Sequence, residues 1–195
     1  MPRQRNQLRI IGGEFGSRRL RFPDGKGLRP TADRVRETLF NWLQGQLHGR
    51  RVLDLFAGSG ALGIEALSRG AAEVVFVERA RAAAQQLRDN LTLLQAADRA
   101  QVVHGDALRW LAQDRRAFDL VLLDPPFADG LLPQVCQALE SGGHLAAAAW
   151  IYLEQDSAQA WPALPPNWQL HREGRAGQAA FRLMHRNSQL QGESR

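Results

Sequence analysis

Val52-Leu53-Asp54-Leu55-Phe56-Ala57-Gly58-Ser59-Gly60-Ala61-Leu62-Gly63 reads as a buried strand, a glycine turn and the start of a helix. Val52, Leu53 and Leu55 form an apolar run with strand character, bounded by a turn signal. Gly58, Gly60 and Gly63 keep the G-x-G-x-x-G spacing, which lets backbone approach a ligand closely and packs a helix against the strand. Asp54 sets this turn apart from a dinucleotide site, because a carboxylate at the strand end repels a pyrophosphate. A positively charged ligand suits it, and S-adenosylmethionine carries both an ammonium and a sulfonium.

Outward from this stretch the chain alternates strand and helix. The first strand ends near Asp54 and a helix covers residues 60–68. Residues 74–77 form a second strand ending at Glu78, followed by a helix over 80–94. Residues 101–104 form a third strand ending at Gly105-Asp106, and 108–112 a short helix. Residues 118–123 are a fourth strand, apolar apart from Asp119, running into Asp124-Pro125-Pro126-Phe127. A helix over 131–139 and a fifth strand near 150–153 follow. Residues 168–171 and 180–184 close the pattern as a hairpin across Gly174-Arg175-Ala176-Gly177. Apolar strands separated by helices give an α/β fold with a mostly parallel, doubly wound sheet. Ligands bind such sheets at the carboxyl ends of the strands, beside the topological switch point. Asp54, Glu78, Asp106 and Asp124 all stand where a strand ends, which puts four acids on one rim.

Glu78 lies twenty residues beyond Gly58, the separation at which an acid reaches ribose hydroxyls in nucleotide-binding βαβ units. The plainer reading of Glu78 is an exposed strand-end acid. Asp106, with the Ala107 backbone, could take the amino group and ring of an adenine, or could simply cap the next helix. In Asp124-Pro125-Pro126-Phe127 two prolines fix φ and remove two backbone donors, leaving carbonyls and a side chain. A substrate bearing an NH₂ group needs such acceptors. The Asp124 carboxylate and the Pro125 carbonyl can take its two hydrogens, and Phe127 offers a flat apolar face to a base drawn from its stack.

The 195 residues are enough for one domain with a real core. One cysteine, Cys136, excludes an intrachain disulfide and reads as core on a helix, in keeping with a reducing compartment. The five histidines show no metal-ligand spacing. The start is basic with no apolar run behind it, so no secretory signal is expected, and no run is long enough to span a bilayer. A cytoplasmic location is expected. Residues 1–36 hold ten basic and three acidic residues, against fifteen and seventeen in the remainder, so the excess positive charge is N-terminal. That is the footprint of a polyanion-binding surface, or else a solvated basic arm. Residues 9–13 and 18–22 read as a hairpin with arginine on one face, residues 23–30 as a loop, and Thr31 as the cap of a helix reaching about Leu47. Val35, Leu39, Trp42 and Leu43 form that helix's apolar stripe, with Arg34 and Arg36 off it.

Glycine turn, ribose acid, Gly-Asp and Asp-Pro-Pro-Phe, in this order, resemble a class I S-adenosylmethionine-dependent methyltransferase that acts on amines. Arg9-Ile10-Ile11-Gly12-Gly13, the run Leu28-Arg29-Pro30-Thr31-Ala32-Asp33-Arg34-Val35-Arg36-Glu37-Thr38-Leu39-Phe40-Asn41-Trp42-Leu43 and the closing Asn167-Trp168 … Ala176-Gly177-Gln178 are similar to the bacterial small-subunit ribosomal RNA guanine-N2 methyltransferase D family. The resemblance covers nearly the whole chain. It departs at Ala32, where many relatives have a second threonine, and in the alanine run 146–149.

The resemblance implies a Rossmann-like, seven-stranded, mostly parallel sheet with helices on both faces and a small N-terminal hairpin. It implies a basic, RNA-contacting extension over 1–28, a methyltransferase domain over 29–187 and a polar tail over 188–195. S-adenosylmethionine would be held by Asp54, Phe56, Ala57, Gly58, Ser59 and Gly60 at its methionine end, Glu78 at the ribose, Asp106 and Ala107 at the adenine, and Asp124 beside the methyl. Arg29, Thr31 and Arg34 would close over it. Asp124, Pro125 and Phe127 would do the catalytic work, with no metal. Arg9, Arg18, Arg19, Arg21 and Arg36 would contact 16S rRNA in the 30S subunit or a late assembly particle, with a monomer as the working unit. Adenine N6 in DNA or RNA, a protein glutamine, or a non-catalytic RNA-binding assembly factor are the competing readings, because Asp-Pro-Pro-Phe alone does not separate one amine from another.

Overall fold

The computed structural model describes residues 7–23 and 33–187. Most of the expected loop 23–30, the Thr31 cap and the tail 188–195 lie outside these residues. A short antiparallel pair, β1 (Gln7–Arg9) and β2 (Arg19–Arg21), precedes helix α1 (Asp33–Trp42). Then come β3 (Arg51–Asp54), α2 (Ala61–Ser68), β4 (Glu73–Glu78), α3 (Arg81–Leu93), β5 (Ala100–His104), α4 (Ala107–Gln113), β6 (Phe118–Leu123) and α5 (Leu132–Ser141). The chain closes with β7 (Leu145–Asp156), β8 (Trp168–Ala176) and β9 (Ala179–Arg186).

The seven-stranded sheet has the order β5-β4-β3-β6-β7-β9-β8. Strands β3 to β7 run parallel, and β9 inserts antiparallel between β7 and β8. Successive residues of a strand face opposite sides of a sheet, and here both sides are apolar. Val52, Phe76, Leu122 and Tyr152 pack with α1, α2 and α3 on one face. Leu53, Val75, Val121 and Ile151 pack with α4 and α5 on the other. Each such side chain, fully buried, contributes about 1.5–3 kcal/mol. The order reverses between β3 and β6, so the chain leaves the sheet in opposite directions from these neighbours and opens a crevice at their carboxyl ends.

Several boundaries differ from the sequence reading. Helix α1 ends at Trp42 because the chain turns at Gly45 (φ 76°), and Leu47 reaches the core from that turn. Strand β7 begins at Leu145, so the alanine run belongs to it, and a register irregularity opposite Phe118 and Leu120 absorbs the extra residues. The alanines fall between the paired positions Leu145 and Trp150, and β9 pairs with β7 only from Trp150 onward. The β8–β9 turn is tighter than expected, since Gly174 to Ala176 remain in the ladder.

The N-terminal pair is shorter than expected because the chain linking β1 to β2 bonds to α2 instead of continuing the ladder. Buried Glu65 accepts from the backbone N–H groups of Ile11 and Gly12, each at 2.9 Å, and Ser68 Oγ accepts from Phe15 N–H at 2.9 Å. Ile10, Phe15 and Leu20 join the core on the α2 face. Arg36 departs from its expected role as an RNA contact. Its side chain is fully buried, with Nη1 3.6 Å from Glu65 Oε2 and Nη2 donating to Asp33 Oδ1 and to the Arg9 carbonyl. Arg36 therefore pins the N-terminal segment from below and cannot meet phosphate. Among the described residues no helix is long and apolar enough to cross a membrane.

Removing one partner of a buried ion pair strands the other charge. Glu65→Ala is expected to cost ~3–5 kcal/mol in urea denaturation. A loss below ~1 kcal/mol, the range of an exposed pair, would contradict this account of how the N-terminal segment is anchored.

Candidate active site

The crevice between β3 and β6 is rimmed by acids. Asp54 ends β3, Glu78 ends β4, Asp106 follows β5 and Asp124 follows β6. Asp54 is 2% exposed, and its Oδ2 accepts from Gly63 N–H, in the first turn of α2, at 2.9 Å. That N–H is one a helix leaves unsatisfied by itself. Burial pushes the Asp54 carboxyl up to about 7; the Gly63 bond opposes the shift, and the nearby Asp124 and Glu78 charges reinforce it. A buried carboxylate crowded by other acids is a place for a cation.

The turn after Asp54 needs its glycines. Gly60 has φ 79°, and a Cβ there would come 2.5 Å from Leu87 Cδ1; at Gly63 a Cβ would meet Phe76 Cε1 at 2.3 Å. The start of α2 can therefore lie directly against its neighbours. Glu78 latches the turn, with Oε2 accepting from Gly58 N–H at 2.8 Å and Oε1 from Ala80 N–H. Each carboxylate oxygen has two acceptor sites, so Glu78 keeps capacity for hydroxyl donors. Ala57 and Ser59 are buried and Phe56 is half-buried against the α4–α5 face of the core.

Asp106 is the N-cap of α4, its Oδ1 accepting from Arg109 N–H at 3.0 Å, and a capping carboxylate keeps acceptor capacity beyond that bond. Ala107 is buried in the first turn of that helix. Arg34 is exposed on α1, and Arg29 and Thr31 lie outside the described residues. Arg9, Arg18, Arg19 and Arg21 are exposed, while Leu8 and Leu20 between them are buried.

Pro125, Pro126 and Phe127, directly after Asp124, line a cleft of about 160 Å³. Asp124 is half-buried, Pro125 buried and Phe127 half-buried. The opposite wall includes Glu154, which the sequence reading missed. Parallel pairing of Leu123 with Leu153 carries the next residues, Asp124 and Glu154, to neighbouring strand ends. Glu154 is 6% exposed and its Oε2 accepts from Tyr152 Oη–H at 2.6 Å. Burial first, and the Asp124 charge second, push its carboxyl up to about 8, against the opposing Tyr152 bond. Its signal was the one that found the other acids, a carboxylate at the end of an apolar strand, but the strand was taken to stop at Leu153.

The arrangement suits S-adenosylmethionine in one respect: mutually repelling carboxylates, Asp54 buried among them, ask for positive charge. Among the described residues no group of three or more His, Cys, Asp or Glu side chains could hold a metal ion.

Known proteins place the chain closely. The family described as Conserved hypothetical protein 95 matches residues 8–185. Ribosomal RNA small subunit methyltransferase D of Escherichia coli K12 is 51% identical over 188 residues, covering 96% of this chain and 93% of that protein. The protein of the same name from Haemophilus influenzae is 42% identical, covering 93% and 95%. The solved structure of the Escherichia coli protein yhhF superposes with a TM-score of 0.86 at 50% identity, covering 94% of this chain and all of that one.

Asp54 titrates near 7 in the folded chain and near its ordinary 3.8 when unfolded. The folded state thus binds more protons between these values, and stability falls as pH rises through that window. Asp54→Asn, which still offers an acceptor to Gly63, is expected to be more stable than the parent by ~2–3 kcal/mol at pH 8. The advantage should vanish near pH 4. Thermal unfolding across pH checks this, and an advantage that does not change with pH would mean burial of the charge carries no cost here.

Proposed function

Because this chain belongs to the ribosomal RNA small subunit methyltransferase D family, we propose that it methylates the exocyclic N2 amine of one guanine in 16S rRNA, using S-adenosylmethionine and a base flipped from its stack. The observation that carries this reading is the cleft lined by Pro125, Pro126 and Phe127, which follow directly on Asp124 at the end of β6. Asp54 holds the positive methionine end, Glu78 the ribose, and Asp106 with Ala107 the adenine. Phe56, Ala57, Gly58, Ser59 and Gly60 shape the turn around the first of these, and Arg29, Thr31 and Arg34 close over it.

When bound, S-adenosylmethionine supplies an electrophilic methyl on a sulfonium. The protein's part is placement. Pro125 and Pro126 present no N–H, so the amine meets only acceptors: the Asp124 carboxylate and the Pro125 carbonyl take its two hydrogens and turn the nitrogen lone pair outward. Phe127 stacks on the flipped base, an interaction worth ~1–3 kcal/mol. Bound S-adenosylmethionine would supply the methyl that N2 takes from its sulfur, and Asp124 or water would accept the proton that N2 sheds. Holding reacting atoms ~3–3.5 Å apart supplies ~7–11 kcal/mol of the barrier, so no strong base is required.

Arg9, Arg18, Arg19 and Arg21 supply the phosphate contacts. They sit on a segment bonded to α2 through Glu65 and Ser68, so the positive surface has a set position relative to the cleft. A monomer of the chain in the cytoplasm is the working unit in this reading.

Asp124→Ala is expected to lower transfer of labelled methyl to small-subunit particles by ~10³-fold or more, the scale of losing a positioned polar group, with cofactor affinity by calorimetry within a few-fold. Unchanged turnover would remove Asp124 from the mechanism, and incorporation into DNA or protein instead of rRNA would redirect the reading. Replacing Arg9, Arg18, Arg19 and Arg21 by glutamine should flatten the plot of log affinity against log salt by roughly 0.7–0.9 for each phosphate left without its arginine. An unchanged slope would move the RNA surface elsewhere.

A further inference from the structure

We infer that Glu154 is the residue that tells guanine from other aminated bases, by accepting the N1–H that lies next to the methylated amine. This rests on the guanine-N2 reading of the cleft and adds to it the choice of base. Asp124 and the Pro125 carbonyl accept any NH₂ group, so by themselves they serve guanine N2, adenine N6 and 2-aminopurine alike. Discrimination has to come from other atoms of the base edge, N1–H or O6, and of these a carboxylate can accept only from N1–H. Guanine offers a donor there, N1–H, whereas adenine and 2-aminopurine offer a lone pair.

Glu154 stands where that atom would be read. It lines the same cleft as Pro125 and Phe127, and strand register sets it beside Asp124. It is 6% exposed in a cleft whose other walls include prolines and leucines, so a base entering the cleft would displace the remaining water around it. Tyr152, buried on the same strand two residues earlier, donates to Oε2 at 2.6 Å and sets the plane of the carboxylate. The carboxylate retains acceptor capacity beyond that bond. The loop behind it is held in turn, with Gln155 Nε2 donating to the Gln159 carbonyl at 3.0 Å. A buried acceptor in a fixed orientation rewards a donor with a charge-assisted hydrogen bond and faces a lone pair with repulsion.

The test measures methyl transfer at pH 8.5, where Glu154 is ionised, to small-subunit particles reconstituted with either guanosine or 2-aminopurine riboside at the target position. The parent enzyme is expected to favour guanosine by ~10²-fold or more in kcat/KM, since a site that hydrogen-bonds its substrate rejects the analogue lacking that donor. Glu154→Gln, whose amide can turn its NH₂ toward a lone pair, should narrow the ratio at least tenfold while binding S-adenosylmethionine within a few-fold of the parent. A parent ratio near one overturns the inference without needing any variant, as does a ratio that Glu154→Gln leaves unchanged. No transfer to the guanosine particle by the parent enzyme is a different result, because it defeats the guanine-N2 reading itself.

Discussion

Parallel pairing of β3 with β6 is the constraint on which the rest of the molecule turns. It brings Asp54 opposite Leu122, two residues short of Asp124, where the order of the parallel strands reverses. Strand alternation then puts Asp54, Glu78, Asp124 and Glu154 on the α2 face, continuing the positions of Val52, Phe76, Leu122 and Tyr152 in the core. The folded protein keeps these acids close in spite of their mutual repulsion, and the raised carboxyls of Asp54 and Glu154 record what that crowding and burial cost. The apolar layers on both sides of the sheet carry that cost, and a cationic ligand relieves it. Stability and function therefore pull in opposite directions at Asp54, as is usual where a site is built for a ligand.

The same strand ends serve two different tasks. On the β4 side, Glu78 fastens the glycine turn while keeping capacity for hydroxyls, so the turn has a defined shape before any ligand arrives. On the β7 side, two prolines and a half-buried phenylalanine make a wall that offers acceptors and a flat face but no N–H at the proline positions. Asp124 stands between the two tasks. Its charge adds to burial in raising the carboxyls of both Asp54 and Glu154.

The N-terminal segment shows how a basic surface is given a fixed position. Its arginines face outward, yet its backbone is bonded to Glu65 and Ser68 of α2, and Ile10, Phe15 and Leu20 are core residues. Helix α2 begins at the glycine turn. One helix therefore carries the turn at its start and the basic segment near its end, and the positive face is built into the methyltransferase fold instead of trailing from it.

Local chemistry was legible in the chain by itself. Apolar runs bounded by glycine, an acid after each strand and the proline pair are short-range patterns, and they located β3, β6, α2, the turn and four of the five crevice acids. Arg36 was beyond such reading, and Glu154, though it follows an apolar run as the other acids do, was missed. Arg36 belongs to a basic run that resembles a solvated face, and its burial depends on Glu65, a residue of another element. Glu154 became part of the cleft because β7 runs to Asp156, paired with β6 on one side and β9 on the other, and carries the acid past the point where apolar residues stop. A sequence states which residues can form a strand and what ends it; which distant charge will neutralise a buried one, and how far pairing extends a strand, are decided by contacts that exist only once the chain has folded.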